Sequence, residues 1–286
     1  MSSRLLYFVL PAVLAATTAV AQETGTSSLT ANIRRIGLDY SETTVHNARE
    51  YQNSPVAPLS ADSQKKITGV FDTALEYRRP NMLWINSAFA EYGKTEIKPE
   101  NRPAVETENA DKILFTSDFA YKLHQYEGLM FGPTVIAEYQ TEFTSNNGAP
   151  RTKILRGKAG YKAFDGTIVK DLYLVGVGEY DMTYADHVSK SAVEFGWRLE
   201  DTLREGVKAS TNGYYRRYLS YSHYIGTDLR YDFYAEARMD VDIINDKLTF
   251  GPYATYRRAH ARAAEKYASN TVIGLSLSYK DIFNLF

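Results

Sequence analysis

The chain contains no cysteine. That absence excludes a lipid-modified N-terminal cysteine, a disulfide framework and thiolate metal sites. Charge of one sign is not in excess either: 33 Lys and Arg stand against 34 Asp and Glu, a formal net charge of −1. A nucleic-acid partner would leave a clustered basic face, and the sequence has none. Beyond residue 21 no apolar run approaches the ~18 consecutive residues of a membrane-crossing helix. Proline is sparse, nine residues, against 23 Tyr and 13 Phe. This bias favours β-strands over helices and turns.

What is present begins with an export signal. Arg4 precedes an apolar run from Leu5 to Ala16, which ends in the small-residue triplet Ala19-Val20-Ala21. A charged start, an apolar stretch and an A-x-A site together read as a signal peptide, residues 1–21, removed on export. The alternative, a membrane helix, is opposed by the shortness of the run and by Pro11. The mature chain is thus expected outside the cytoplasm with no helical anchor.

The most informative stretch is 228–256. Leu229, Tyr231, Phe233, Ala235, Ala237, Met239, Val241 and Ile243 share one parity, and Asp228, Arg230, Asp232, Tyr234, Glu236, Arg238, Asp240 and Asp242 share the other. Successive strand side chains point to opposite faces, so this is a ribbon apolar on one side and charged on the other. A helix would spread those charges around its whole circumference. After a polar turn at Asn245-Asp246-Lys247 the alternation resumes through Leu248, Phe250, Pro252, Ala254 and Tyr256. The first run is about sixteen residues, whereas strands of globular proteins are usually about five or six. A continuous apolar face of that height matches a bilayer.

The same pattern recurs along the chain. Residues 22–66 are polar, with Ile36, Leu38 and Tyr40 hinting at a first strand near 33–44. Residues 67–286 form the expected barrel. Its apolar positions include Ile67, Phe71 and Leu75; Leu83, Ile85 and Phe89; Phe115 and Phe119; Val135 and Tyr139; Leu155 and Ala159; Leu172 and Leu174; Phe195 and Trp197; and Ile273, Leu275 and Leu277. Short reversals are expected at Pro80-Asn81, His124-Gln125, Asp165-Gly166, 201–205 and 245–247. Longer loops are expected at 94–109, 144–151, 184–188, 217–224 and 257–266. Asp-Gly at 165–166 suits a type I′ turn. Asn212-Gly213 leaves 207–224 ambiguous, because it is a possible extra hairpin turn. Alternating short turns and long loops are the asymmetry of an outer-membrane barrel. The fold class expected is therefore an all-β, antiparallel transmembrane barrel of about twelve strands, within a range of 10–14, with both termini in the periplasm. A soluble barrel or sandwich with an enclosed apolar core is the alternative.

Two resemblances follow from particular residues. Gly274, Leu277, Tyr279 and the terminal Phe286 resemble the C-terminal assembly signal of Gram-negative outer-membrane barrels, with departures at Val272 and in the seven residues after Tyr279. That likeness implies the barrel-assembly machinery as a partner during biogenesis. The stretch Gly160-Tyr161-Lys162, Leu172-Tyr173-Leu174, Gly176-Val177-Gly178 and Tyr180 resembles the middle of the salt-induced outer-membrane protein family, whose function is unassigned. It implies a barrel and no activity.

Candidate chemistry is thin. Ser220, Ser222, His223 and His260 fall in adjacent outer loops, where a lipid-acting hydrolase would also need a third orienting group, and the sequence supplies no such residue. Asp240 and Asp242, with Asp232 and Glu236, have the oxygens for a hard cation, but Arg230 and Arg238 share their face and favour ion pairing. Gly176 and Gly178 lack a third glycine, since Asp181 stands in its place. Trp84 and Trp197 suit packing or the interface better than a stacked sugar. No catalytic, cofactor or metal residue is therefore assigned.

The inward face carries the signal. Glu76, Arg78, Glu138, Arg198, Arg230, Asp232, Glu236, Arg238 and Asp240 are the expected lumen charge network, joined by parity with Asp72, Lys112, Asp118, Lys122, Arg156, Lys158, Glu179, Glu194, Glu200 and Arg257. A small barrel lined by both signs is either closed by its own ion pairs or holds a narrow wet pore. The expected function is a narrow pore or small-solute conduit in the bacterial outer membrane. A closed barrel displaying its loops, or a lipid-acting enzyme, are the alternatives. Outer-membrane lipid is the expected surrounding, and the sequence does not set the oligomeric state.

Overall fold

In the computed structural model, residues 27–51, 59, 64–97, 105–144, 150–224, 226 and 228–286 are described, and the expected signal peptide lies outside them. The strands are β1 (Ser28–His46), β2 (Gln64–Arg79), β3 (Met82–Ile97), β4 (Val105–Tyr121), β5 (His124–Tyr126), β6 (Leu129–Thr141), β7 (Ile154–Phe164), β8 (Val169–Asp181), β9 (Val188–Arg204), β10 (Val207–Tyr221), β11 (Leu229–Ile244), β12 (Leu248–Ala261) and β13 (Ala268–Asn284). Each pairs antiparallel with its sequence neighbour, apart from the three-residue β5, which is bypassed by a β4–β6 pairing. β1 pairs with both β2 and β13, closing a ring of twelve strands. The fold class is thus the one the alternation demands, and the polar segment 22–66 contributes a full wall strand.

Both termini and the short turns lie at one end, since Ser28 faces Arg78 and Thr30 faces Asn284. The longer connections lie at the other. These are the terminal end and the loop end.

The strands are longer than their apolar alternation. β3 runs to Ile97 and β4 from Val105, so 94–97 and 105–109 of the expected 94–109 loop are strand, and β12 continues through Arg257 and Arg258 to Ala261. At about 3.4 Å per residue, strands of this length outreach an apolar band about 25 Å tall. The last residues of β12 therefore lie outside the stretch whose alternation the sequence shows: Arg257 pairs with Asp232, and Ala259 and Ala261 are buried.

Three turns differ from expectation. β10 passes straight through Asn212-Gly213, and the reversal before it is at Glu205-Gly206, where Gly206 has φ 72°. A side chain at Gly213 would strike the Trp197 ring and the Tyr234 carbonyl, so this glycine serves packing rather than turning. His124 and Gln125 belong to β5 and stack into a small ribbon on β6, the reversal coming at Glu127-Gly128 with φ 48° and 83°. At Asp165-Gly166 only Asp165 is left-handed, φ 61°, and the hairpin reverses over four residues with Gly166 N–H donating to Val169 O at 2.9 Å. That is a longer loop than a type I′ turn.

The outside is apolar. Leu38, Phe71, Phe115, Val135, Leu155, Leu174, Phe195, Leu219, Met239, Phe250 and Ile273 are exposed there. In β11 Met239, Val241 and Ile243 face outward while Asp232 is buried on the inner side. β3 reverses the expected parity. Trp84 is exposed, while Leu83 is buried inside with Ala120 and Phe164, against Ile85 and Met130. Phe89 is also inward, with the Lys112 ammonium 5.4 Å from its ring. Leu83, Ala120 and Phe164 thus form an apolar cluster at the terminal end of the lumen, and Leu83, Ile85 and Phe89 read as outward in the sequence because they too alternate.

At the loop end, one turn of 3-10 helix, Ala48–Tyr51, brings Tyr51 against Ala259, Ala261 and Ala268 together with Leu59. The Tyr51 hydroxyl donates to Lys266 O at 2.8 Å and accepts from Ala261 N–H at 3.1 Å. A phenol buried with both its donor and acceptor roles filled leaves no polar group stranded.

Candidate functional site: the ionised lumen

The lumen is built from the parity opposite the apolar belt. Its central part spans β6 to β10. Lys158 on β7 contacts Glu138 on β6 at 2.5 Å and Glu194 on β9 at 2.7 Å. Arg216 on β10 holds the other oxygen of Glu194 at 2.5 Å and reaches Glu179 on β8 at 3.7 Å. Arg156 on β7 donates to Glu179 at 2.6 Å, and Lys190 on β9 lies 3.1 Å from Glu179 and 2.9 Å from Asp181. Tyr173 donates to Glu194 at 2.8 Å and Tyr218 to Glu179 at 3.3 Å. Lys158 and Arg216 each tie strands that are not sheet neighbours, so the pairs form a lattice across the wall. The side chains of Glu194 and Lys158 are 0% and 3% exposed. Ionised groups so enclosed are tolerated only because each charge has opposite charges and hydrogen bonds around it.

Smaller groups continue around the ring. Asp232 receives Arg257 through both oxygens, at 3.0 and 2.7 Å, and the Tyr214 hydroxyl at 2.8 Å. Arg238 lies 3.6 Å from Glu236 and 3.3 Å from Asp240, and donates to Ser276 at 3.1 Å. Arg35 pairs with Asp39 and reaches Glu236 at 3.9 Å, joining β1 to β11 over two intervening strands. A bulge between Ile33 and Ile36 turns both Arg34 and Arg35 inward, and Arg34 takes Glu76 at 3.1 Å. This is how a bulge re-aims a side chain. Lys162 bridges Asp118 at 2.6 Å and Asp171 at 3.2 Å. Arg78 pairs with Asp165 across the terminal mouth, with β3, β4 and β6 between their strands.

The nine expected network residues are therefore divided among several groups. Glu138 joins the central lattice. Asp232, Glu236, Arg238 and Asp240 line the β11 side, Glu76 and Arg78 the β2 side. Arg198 sits with Glu200 at 3.5 Å. Arg230 is exposed at the loop end, donating to Arg262 O at 3.4 Å, because the bulge between Leu229 and Tyr231 lifts it from the wall. Sequence reasoning missed Arg216, Lys190, Arg35, Tyr214 and Tyr218. The alternation Tyr214, Arg216, Tyr218 was there to be read, had Asn212-Gly213 not suggested a turn.

The remaining candidates are accounted for by place. Ser222 Oγ lies 3.3 Å from His223 Nδ1 on the exposed rim, Ser220 bonds Ser191, and His260 Nε2 contacts Ala264 O at 3.2 Å. Asp242 pairs with Lys280 at 3.5 Å rather than with Asp240. Gly176 and Gly178 lie mid-strand on the outward face. Trp84 donates to Ser117 at 3.0 Å, and Trp197 packs with Phe195 and Phe233. Gly274 lies under the Tyr253 ring, Leu277 and Tyr279 face outward, and Phe286 O accepts from Leu29 N–H at 2.9 Å.

Comparison with solved structures returns barrels at low identity. The translocator domain of the autotransporter NalP from Neisseria meningitidis is 11% identical over 96% of this chain and 94% of that one, with a TM-score of 0.34. Outer membrane phospholipase A from Escherichia coli is 11% identical over 85% and 89%, TM-score 0.44. An outer membrane channel from Pseudomonas putida F1 is 11% identical over 91% and 97%, TM-score 0.41. No family model and no curated relative matches the chain, so the likeness of 160–180 to the salt-induced family gains no support. A ring with an apolar outside and a charged inside is settled by its own geometry. The fold is a closed antiparallel barrel of twelve strands.

Proposed function

We propose that the protein is an integral outer-membrane barrel serving as a narrow conduit for small ions or polar solutes, closed in the conformation described. The loop end then faces outward and the terminal end the periplasm. The observation that supports this is the central lattice of Lys158, Glu194, Arg216 and Glu179, which lines the lumen with paired charges between an apolar cluster at each end. Apolar packing of similar volume is often as stable as buried ion pairs. A lumen kept ionised is therefore better suited to solvation on opening than to filling space. Mixed signs set selectivity where such a path wets.

The test is planar-bilayer conductance of the wild type beside a Glu194→Gln, Arg216→Gln double variant. The pair of changes removes one charge of each sign, and heat-modifiable gel migration verifies that the barrel is intact. Small currents are expected in the wild type, larger ones in the double variant, with altered cation-to-anion preference. Intact barrels that conduct in neither case would favour the second reading, a closed barrel displaying its loops, which the near-zero exposure of Glu194 supports. Recovery of the mature protein in the soluble fraction after carbonate washing would remove the membrane reading.

A further inference from the structure

Toward the loop end of β10 to β12, two arginines break the apolar outside. Arg217 on β10 and Arg258 on β12 have outward parity, between Tyr215 and Leu219 on one strand and beside Tyr256 on the other. Among the described residues neither makes an ion pair, whereas Arg156, Arg216, Arg238 and Arg257 on the inner face all do. No Asp or Glu shares the outward parity of β10, β11 or β12. Tyr231 links the two: it lies opposite Arg217 in the β10–β11 register, and its hydroxyl receives the Arg258 Nε–H at 3.2 Å. The Arg258 guanidinium is stacked 3.7 Å over the Tyr267 ring, and His260 lies edge-on to Tyr231 with ring centres 6.1 Å apart. All of these sit toward the loop end: Arg217 within the last five residues of β10, Tyr231 near the start of β11, Arg258 and His260 within the last five residues of β12, and Tyr267 just before β13.

Charge on a barrel's lipid face costs roughly 2–4 kcal/mol at the midplane and about 0–1 near the interface. Unpaired arginines embedded in tyrosines therefore mark the headgroup level. A guanidinium held by a ring face and a phenol has its remaining N–H groups aligned for a bidentate oxyanion, and phosphate matches that fork. We propose that Arg217, Tyr231 and Arg258 form a binding site for the phosphate groups of a glycolipid in the outer leaflet. The site rests on the reading that the barrel spans a bilayer with its loop end outward. Inner-face carboxylates lie on the far side of the wall and do not compete for it.

The experiment uses the full mature chain folded into phosphatidylcholine vesicles, with or without added bisphosphorylated lipid A, and a parallel arm with dephosphorylated lipid A. Retained glycolipid per barrel is read after detergent extraction. The wild type is expected to retain bisphosphorylated lipid A and to discriminate against the dephosphorylated form. Arg217→Gln and Arg258→Gln should each weaken retention about tenfold, the loss expected for one charge-assisted contact, and the double lysine variant should recover part of it. Folding of every variant in plain phosphatidylcholine is the control. Equal retention by the wild type and the double glutamine variant, or equal retention of both lipids, would overturn the site. Failure of the wild type to fold into any vesicle would instead overturn the membrane reading on which it rests.

Discussion

Gly213 shows how one residue is fixed by what lies over it. Trp197 covers this position from β9, with its indole N–H 3.3 Å from Thr211 Oγ1 and its ring against Phe233 on β11. A Cβ at 213 would come within 2.5 Å of the Trp197 ring and closer still to the Tyr234 carbonyl, which is backbone and cannot yield. Gly213→Ala is expected to destabilise by about 1–3 kcal/mol, the range for overpacking. Urea-dependent folding into vesicles measures it, with tryptophan emission reporting displacement of the indole. The pair Gly213→Ala, Trp197→Ala should recover part of that loss if the ring is the obstacle, and none if the carbonyl alone is.

At the scale of the element, β11 separates the apolar outside from the charged lumen at adjacent positions. Ala237 faces outward beside Phe233 and Met239, and Arg238 faces inward among Glu236, Asp240 and Ser276. Ala237→Arg is expected to cost roughly 2–4 kcal/mol in bilayer folding. Arg238→Ala should fold with a smaller loss of roughly 1–3 kcal/mol, from carboxylates left without their cation, and should raise conductance. A larger penalty for Arg238→Ala than for Ala237→Arg in urea titrations would mean that the two faces are exchanged. This element was legible because lipid and water impose opposite demands on alternate residues over its whole length. β3 was not, because Leu83, Ile85 and Phe89 alternate as faithfully while pointing inward, Leu83 and Ile85 into an apolar cluster and Phe89 beside Lys112. Periodicity reports which residues share a face and is silent on what that face meets. β10 was obscured for a different reason: Asn-Gly is a turn signal in isolation, and here the Trp197 side chain, sixteen positions earlier, decides its use. Within the lumen, the charges were legible as a set but their partners were not, because Lys158–Glu194 and Arg216–Glu179 depend on register between strands.

For the whole molecule, the apolar clusters at the two ends and the lattice between them are expected to respond differently to mutation. Phe164 is 1% exposed between Leu83 and Ala120 at the terminal end. Phe164→Ala should cost about 3–5 kcal/mol if the cavity persists, and in bilayers it should increase conductance less than opening the central lattice does. A current as large as that of the Glu194→Gln, Arg216→Gln variant would make this apolar cluster the principal barrier. The closing seam has a separate consequence. β1 and β13 are paired from Thr30–Asn284 to His46–Ser269, and the final carbonyl is bonded to Leu29. The contacts that complete the ring are therefore those farthest apart along the chain, and they carry the greatest loop-closure entropy. Until residue 284 has been delivered, two long strand edges stay unpaired, a hazard for edge-to-edge association. Time spent as an open ribbon, rather than the stability of the finished ring, becomes the quantity that biogenesis must control, and a chain cut short by even its last strand should be found in aggregates or bound to a holdase instead of in a smaller barrel.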